Sequence, residues 1–224
     1  TNNFPLPNPT LIFTLRKSIQ KMSSPAPQNP LYPIFLLPHR LNILVVGGGN
    51  VALEKLTSLM KNSPEANVKL LGASIFPETK TYLNELNIPF EEKFFEESDL
   101  EGINILFIAI NIKEESAKIR AIAKTKNILV NVADTPDLCD FYLGSVVTKG
   151  DLKIGISTNG KSPTLSKRIR EYMEEALPDS TQDLIDNLGK IRSTLTGDFQ
   201  SKVEQLNAIT KNMVDNQNTA NSNK

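Results

Sequence analysis

From about residue 41 onward, short apolar runs alternate with stretches of helical periodicity. Residues 41–46, LNILVV, predict a buried strand, after which Ala52, Leu53, Leu56, Leu59 and Met60 recur on one face of a helix. Residues 67–73, NVKLLGA, predict a second strand, followed by a helix entered through Pro77. Residues 88–94, IPFEEKF, give a weaker third strand. Residues 103–110, INILFIAI, are almost wholly apolar, as expected of a strand covered on both faces. A polar helix over about 113–126 leads to a fifth strand at 127–133, NILVNVA. Strand alternating with helix predicts an α/β fold, a Rossmann-like, doubly wound parallel sheet.

The pattern changes after Asp134. Residues 141–158 predict two strands around a Lys-Gly-Asp turn, a β-hairpin in place of a further crossover. Ser162 and Pro163 offer an N-cap and a first-turn proline for a helix reaching about residue 177. Pro178, Asp179 and Ser180 break that helix, and another helical segment runs to about 195. Five stretches are therefore expected: a disordered extension over 1–30, the sheet domain over 31–140, the hairpin region over 141–163, a helical domain over 164–210 and a disordered tail over 211–224. Met22 opens MSSPAPQNPLYPIFL, which leaves open whether residues 1–21 lie upstream of the natural start.

Composition narrows the function. Lysine and arginine total 25 against 25 acidic residues, so neither a nucleic-acid nor a membrane-surface partner is expected. No apolar run approaches a membrane span. Cys139 is the only cysteine and His39 the only histidine, which excludes an internal disulfide and argues against a protein-built metal site. A lone thiol fits a reducing, cytoplasmic setting.

The most specific local signal is Gly47-Gly48-Gly49-Asn50-Val51-Ala52, which matches G-x-G-x-x-G/A between a predicted strand and a predicted helix. The first glycine permits a tight turn, the second lets backbone approach a pyrophosphate, and Ala52 lets the helix pack closely on the strand. Free amides and the helix dipole supply the anion site. The acid expected at the end of the second strand is absent; that strand ends in Gly72, Ala73 and Ser74, so the residues alone do not separate NAD from NADP.

Ligands of a doubly wound sheet lie beyond the carboxyl ends of its strands. That edge collects the glycine loop, Ser74, Ala109, Ile110, Asn111 and Asp134. Asp134 could accept a proton beside a nicotinamide, or could merely cap the loop before Pro136 through an Asx-turn. Cys139 has no activating histidine and reads as a packed thiol. Residues 159–170, NGKSPTLSKRIR, carry Lys161, Lys167, Arg168 and Arg170 without an acid, a poor choice for a helix N-terminus unless a polyanion is met there; a solvated basic face is the alternative. His39 reads as a linker residue.

Taken in order, LYPIFL, LNILVVGGGNVALEKL, NVADTPDLCDFYLGSVV and LKIGISTNGKSPTLSKRIREYMEEALP resemble the precorrin-2 dehydrogenase family, the N-terminal module of siroheme synthases, over roughly residues 31–195. The resemblance implies NAD-dependent oxidation of precorrin-2 to sirohydrochlorin and, in bifunctional members, sirohydrochlorin ferrochelatase activity with ferrous iron as substrate. It implies that Gly47, Gly48, Gly49, Asn50, Val51, Ser74, Ala109, Ile110 and Asn111 contact NAD. Asp134 would be the catalytic carboxylate. Lys161, Ser162, Lys167, Arg168 and Arg170 would hold the carboxylate-rich tetrapyrrole, and the hairpin would join two chains into a homodimer. Pyrrole nitrogens, not protein, would ligate the iron. Thr158 stands where relatives often carry serine, and Ile110 where they carry a smaller residue. The sequence has no counterpart of the methyltransferase domain of trifunctional synthases, so synthesis of precorrin-2 itself is not expected. The competing reading is a dinucleotide-sensing regulatory domain without turnover, which usually keeps the acid at the second strand's end and has no use for Asp134.

Overall fold

A computed structural model describes the backbone of residues 29–219, with side chains through residue 211. The expected extension over 1–30 lies almost wholly outside the described residues. From Ile34 onward the chain groups as one compact unit.

Five strands form the parallel sheet: β1 (Ile43–Val46), β2 (Val68–Gly72), β3 (Phe90–Glu92), β4 (Ile105–Ile108) and β5 (Leu129–Val132), in the order β3-β2-β1-β4-β5. Helices α1 (Asn50–Asn62), α2 (Pro77–Glu85) and α3 (Lys113–Thr125) connect them. The apolar runs follow from burial on both faces. Ile43, Val45, Leu70 and Phe107 pack with Ala52, Leu56 and Leu83 of α1 and α2. The alternate residues Leu44, Val46, Leu106 and Ile108 pack with Ile119 and Ala123 of α3. Leu53, expected on the core face of α1, is half-buried and lines a surface cavity.

The register brings the strand ends level: Val46 pairs with Leu71 and with Ile108, and Ile108 pairs with Val132. The chain leaves β1 toward β2 on one side and returns to β4 on the other. The glycine loop after β1 therefore lies at the topological switch point, where doubly wound sheets bind ligands.

The second module is the antiparallel pair β6 (Ser145–Lys149) and β7 (Leu152–Ile156), followed by α4 (Pro163–Ala176), α5 (Thr181–Thr194) and α6 (Phe199–Thr219). Gly150 takes a φ of 59° in the two-residue turn, where the Asp151 amide donates to Gln182 Oε1 over 2.7 Å and ties the turn to α5. The final helix crosses residue 211, where an unstructured tail was expected, and continues to Thr219. No described helix is long and apolar enough to cross a membrane.

Candidate active site

The three glycines have different neighbours. Gly47 has a φ of 130°, and a Cβ there would sit 2.8 Å from the Ala109 carbonyl carbon. A Cβ on Gly48 would lie 2.7 Å from Ile75 Cα. Main-chain atoms of the β4 and β2 ends thus dictate both glycines, and the Phe76 amide donates to the Gly48 carbonyl over 2.9 Å. Gly49 differs. Its Cβ position meets only the Phe76 ring, at 3.7 Å, and its φ of −92° needs no glycine. Nothing in the protein accounts for glycine there, whereas a ligand pressed against the backbone would.

Gly49 is also the N-cap of α1, which has no side-chain cap and no acid in its first turn. A helix start left in this state offers its amides and dipole to an anion. Asn50 is exposed, Val51 half-buried and Ser74 exposed along the same edge. Ala109 is buried against Gly47, Ile110 is half-buried and Asn111 is exposed. These residues fit the dinucleotide group the motif implies.

Glu92 was not singled out by the sequence reading. It ends β3 and accepts from the Ile75 amide over 3.0 Å and from Lys80 Nζ over 2.7 Å. Those bonds, led by the Lys80 contact, hold its carboxyl below the ordinary range. Its role is to fix the loop carrying Ser74. An acid ending the weak third strand was the available signal.

Asp134 follows β5 with a φ of 54°, the sole non-glycine acid with positive φ among the described residues; Asn87, Asn127 and Asn159 share the conformation in turns. Its side chain is exposed, and no hydrogen bond is made by its carboxylate among the described residues. It does not act as the Asx-turn cap that was the alternative. Two strand spacings separate β1 from β5, about 10 Å.

The loop after Asp134 is tightly held. Cys139 Sγ donates to the Val132 carbonyl and accepts from the Val132 amide, each at 3.2 Å. Burial raises its pKa above the ordinary thiol value, in keeping with a packed thiol. Asp140 Oδ2 accepts from the Val130 amide at 3.0 Å, and its Oδ1 from Lys124 Nζ at 3.0 Å. Asn131 Nδ2 donates to the Phe141 carbonyl over 2.8 Å. The returning loop thereby satisfies the outer edge of β5 and fixes Asp134 on a rigid support.

Asp134 opens into a cavity of about 420 Å³, lined also by Lys55, Cys139, Tyr142, Thr158 and Ser166. A neighbouring cavity of about 650 Å³ is lined by Asn50, Leu53, Lys61 and Arg170. Glu54, Ser58, Gly144 and Ser145 line both, so the two adjoin. Residues of the sheet edge and of the hairpin module thus line one cavity with Asp134.

Of the basic stretch, Lys167, Arg168 and Arg170 have partners within α4. Lys167 and Arg168 are 64% and 73% exposed and pair with Glu171 at 3.9 and 2.8 Å. Arg170 pairs with Glu174. The stretch lacks an acid, but the next helical turn supplies two, so much of its charge is met at i,i+3 and i,i+4 spacing. Ser162 Oγ accepts from the Leu165 amide over 3.2 Å and caps α4. Lys161, Ser162, Lys167 and Arg168 line neither cavity of a single chain; Arg170 lines the larger.

A family model described as putative NAD(P)-binding matches residues 34–145, half of the chain. The chain belongs to this family. A second family model, described as sirohaem biosynthesis protein central, matches residues 149–176, which hold β7 and α4. Relatives include a siroheme synthase of Vesicomyosocius okutanii, 34% identical over 172 residues, covering 77% of this chain and 36% of the relative. The siroheme biosynthesis protein met8 of Schizosaccharomyces pombe is 32% identical over 154 residues, 68% of this chain and 58% of the relative. The chain spans about a third of the length of the siroheme synthases it matches. Among solved structures, SirC, a precorrin-2 dehydrogenase, shares the fold with a TM-score of 0.60 at 23% identity, covering 80% of this chain and 89% of that one. Family membership thus agrees with the glycine loop, and the second model covers β7 and α4 of the module that follows.

Proposed function

We propose that the protein oxidises precorrin-2 to sirohydrochlorin with NAD⁺ in siroheme biosynthesis, with Asp134 as the base. The observation that carries this reading is the Asp134 carboxylate itself: exposed, held in a left-handed conformation on a rigid loop, and lining a cavity at the ligand-binding edge. The names of the relatives and the sirohaem biosynthesis model that matches residues 149–176 support the substrate class.

NAD⁺, when bound, accepts the hydride. Gly49 leaves room for the pyrophosphate, and the α1 amides and dipole hold it. The Asp134 carboxylate takes the proton released as the macrocycle gains its double bond, so precorrin-2 and NAD⁺ give sirohydrochlorin, NADH and a proton. The same carboxylate could take pyrrole N–H protons when ferrous iron enters as a substrate.

The working unit in this proposal is a cytoplasmic homodimer. Leu165, Ile169 and Tyr172 form a stripe on α4 that is 53%, 38% and 69% exposed. Their i, i+4, i+7 spacing is that of a helix face awaiting a partner. Lys161, Lys167 and Arg168 would reach substrate only across such an interface.

The test is an anaerobic assay of precorrin-2 with NAD⁺, following NADH, with Asp134→Asn beside the wild type. NADH formation by wild type and its loss in a variant that still binds NAD⁺ is the expected result. Tight NAD⁺ binding without turnover by wild type would overturn the reading in favour of a sensor. A second assay with sirohydrochlorin and ferrous iron reports metal insertion separately.

A further inference from the structure

Lys55 is the one cation lining the Asp134 cavity among the described residues. Its side chain is only 22% exposed, and its sole ionic neighbour is Glu54, adjacent in sequence and 3.8 Å away. No described residue accepts a hydrogen bond from its ammonium, which carries three donors. The stem of Lys55 packs against the protein while its ammonium keeps donors free for a ligand in the cavity.

Two acids, Asp134 and Glu54, line the same cavity. A carboxylate-bearing ligand entering there would meet two like charges unless Lys55 offset them. Within one chain the exposed cations of α4 do not reach this cavity: Lys167 and Arg168 pair with Glu171 and line neither cavity. Lys55 is also unsuited to the dinucleotide phosphates. It lies five residues into α1 from Asn50, about 7.5 Å along the axis from the helix start where an anion is held. Its charge is instead felt by the Cys139 thiol, in the loop that carries Asp134.

The geometry points to Lys55 as the residue that anchors a substrate carboxylate inside the catalytic cavity, orienting a polycarboxylate macrocycle so that its reacting carbon faces Asp134. This rests on the dehydrogenase reading for the identity of the macrocycle, but the anchor itself is a binding function. Lys55 is thus a positioning and specificity residue, with its ammonium donating to a carboxylate oxygen and no proton changing owner.

The test compares wild type, Lys55→Met and Lys55→Arg in two measurements. In the precorrin-2 assay, Lys55→Met raises KM for the tetrapyrrole roughly tenfold or more, the weight of a charge-assisted hydrogen bond. The NAD⁺ dissociation constant and kcat stay within about threefold, and Lys55→Arg recovers most of the loss. In the second measurement, sirohydrochlorin is titrated into each protein with NAD⁺ present and followed by its absorbance, so that binding is read without turnover. Lys55-dependent binding by a wild type that shows no turnover would uphold the anchor while defeating the dehydrogenase reading. Equal tetrapyrrole affinity in wild type and Lys55→Met, with turnover intact, would overturn the anchor alone. Loss of NAD⁺ affinity, or a lower melting temperature that Lys55→Arg does not repair, would mark Lys55 as structural and equally overturn it.

Discussion

Gly48 and Ser74 meet backbone to backbone: a methyl group on Gly48 would overlap the Ser74 carbonyl oxygen and come within 2.7 Å of Ile75 Cα. Gly49, one residue on, faces open space apart from the Phe76 ring. The two alanine variants should therefore fail in different ways. Gly48→Ala must displace main chain and should lose about 1–3 kcal/mol of stability, read in a urea titration. Gly49→Ala should fold with near wild-type stability and lose NAD⁺ affinity, read by calorimetric titration. Equal stability losses in both would show that the loop, not a ligand, demands the second glycine.

The left-handed backbone at Asp134 separates its conformational role from its chemistry. Asparagine tolerates this region, glycine adopts it freely, and alanine pays about 1–2 kcal/mol. Thermal unfolding should rank Asp134→Gly and Asp134→Asn above Asp134→Ala. All three should be inactive if the carboxylate is the base, with kcat lowered about 10²–10⁴-fold. Activity retained in the asparagine variant would exclude that role.

Cys139 gives a pH dependence whose sign is fixed. Burial raises the thiol pKa in the folded state, with the Val132 hydrogen bond and the Lys55 charge opposing part of it. Above the unfolded thiol pKa, near 8.5, the unfolded chain releases a proton that the folded chain retains. Stability should therefore fall as pH rises above that value, and Cys139→Ala should lack this component. Alkylation by iodoacetamide at neutral pH should be slow for the native protein and fast in urea.

The α4 stripe predicts the assembly state. Ile169→Glu, or the pair Leu165→Glu and Tyr172→Glu, should yield a monomer by light scattering while NAD⁺ affinity persists, because none of the three touches the glycine loop. Turnover of precorrin-2 should fall with the loss of the dimer. A monodisperse monomer in the wild type would overturn the interface.

The Asp140 carboxylate closes the β5 edge, so Asp140→Ala should leave the Val130 amide without its acceptor. The expected cost is about 1–3 kcal/mol in a urea titration, with NAD⁺ affinity retained because the glycine loop lies two strands away. No change in stability would show that the loop holds without this contact.

Sequence alone determined the class and order of the sheet domain. The run 103–110 read as doubly covered because Leu106 and Phe107 face opposite layers of the core, and the glycine loop read as a nucleotide turn because its spacing follows local backbone geometry. Caps and turns were legible for the same reason: Ser162 and Gly150 act on residues within four positions of themselves, apart from the Gln182 tie. What tertiary structure decided lies in contacts between segments far apart in the chain. It showed that Gly48 answers to Ser74 while Gly49 answers to nothing in the protein. It assigned Glu92 to the Ser74 loop, paired Arg168 with Glu171, and put Lys55 of α1 and Asp134 of the β5 loop on one cavity. Periodicity reports which face of an element is buried, but not which residue of another element lies against it; that depends on how helices and strands pack, and packing is set by the whole chain.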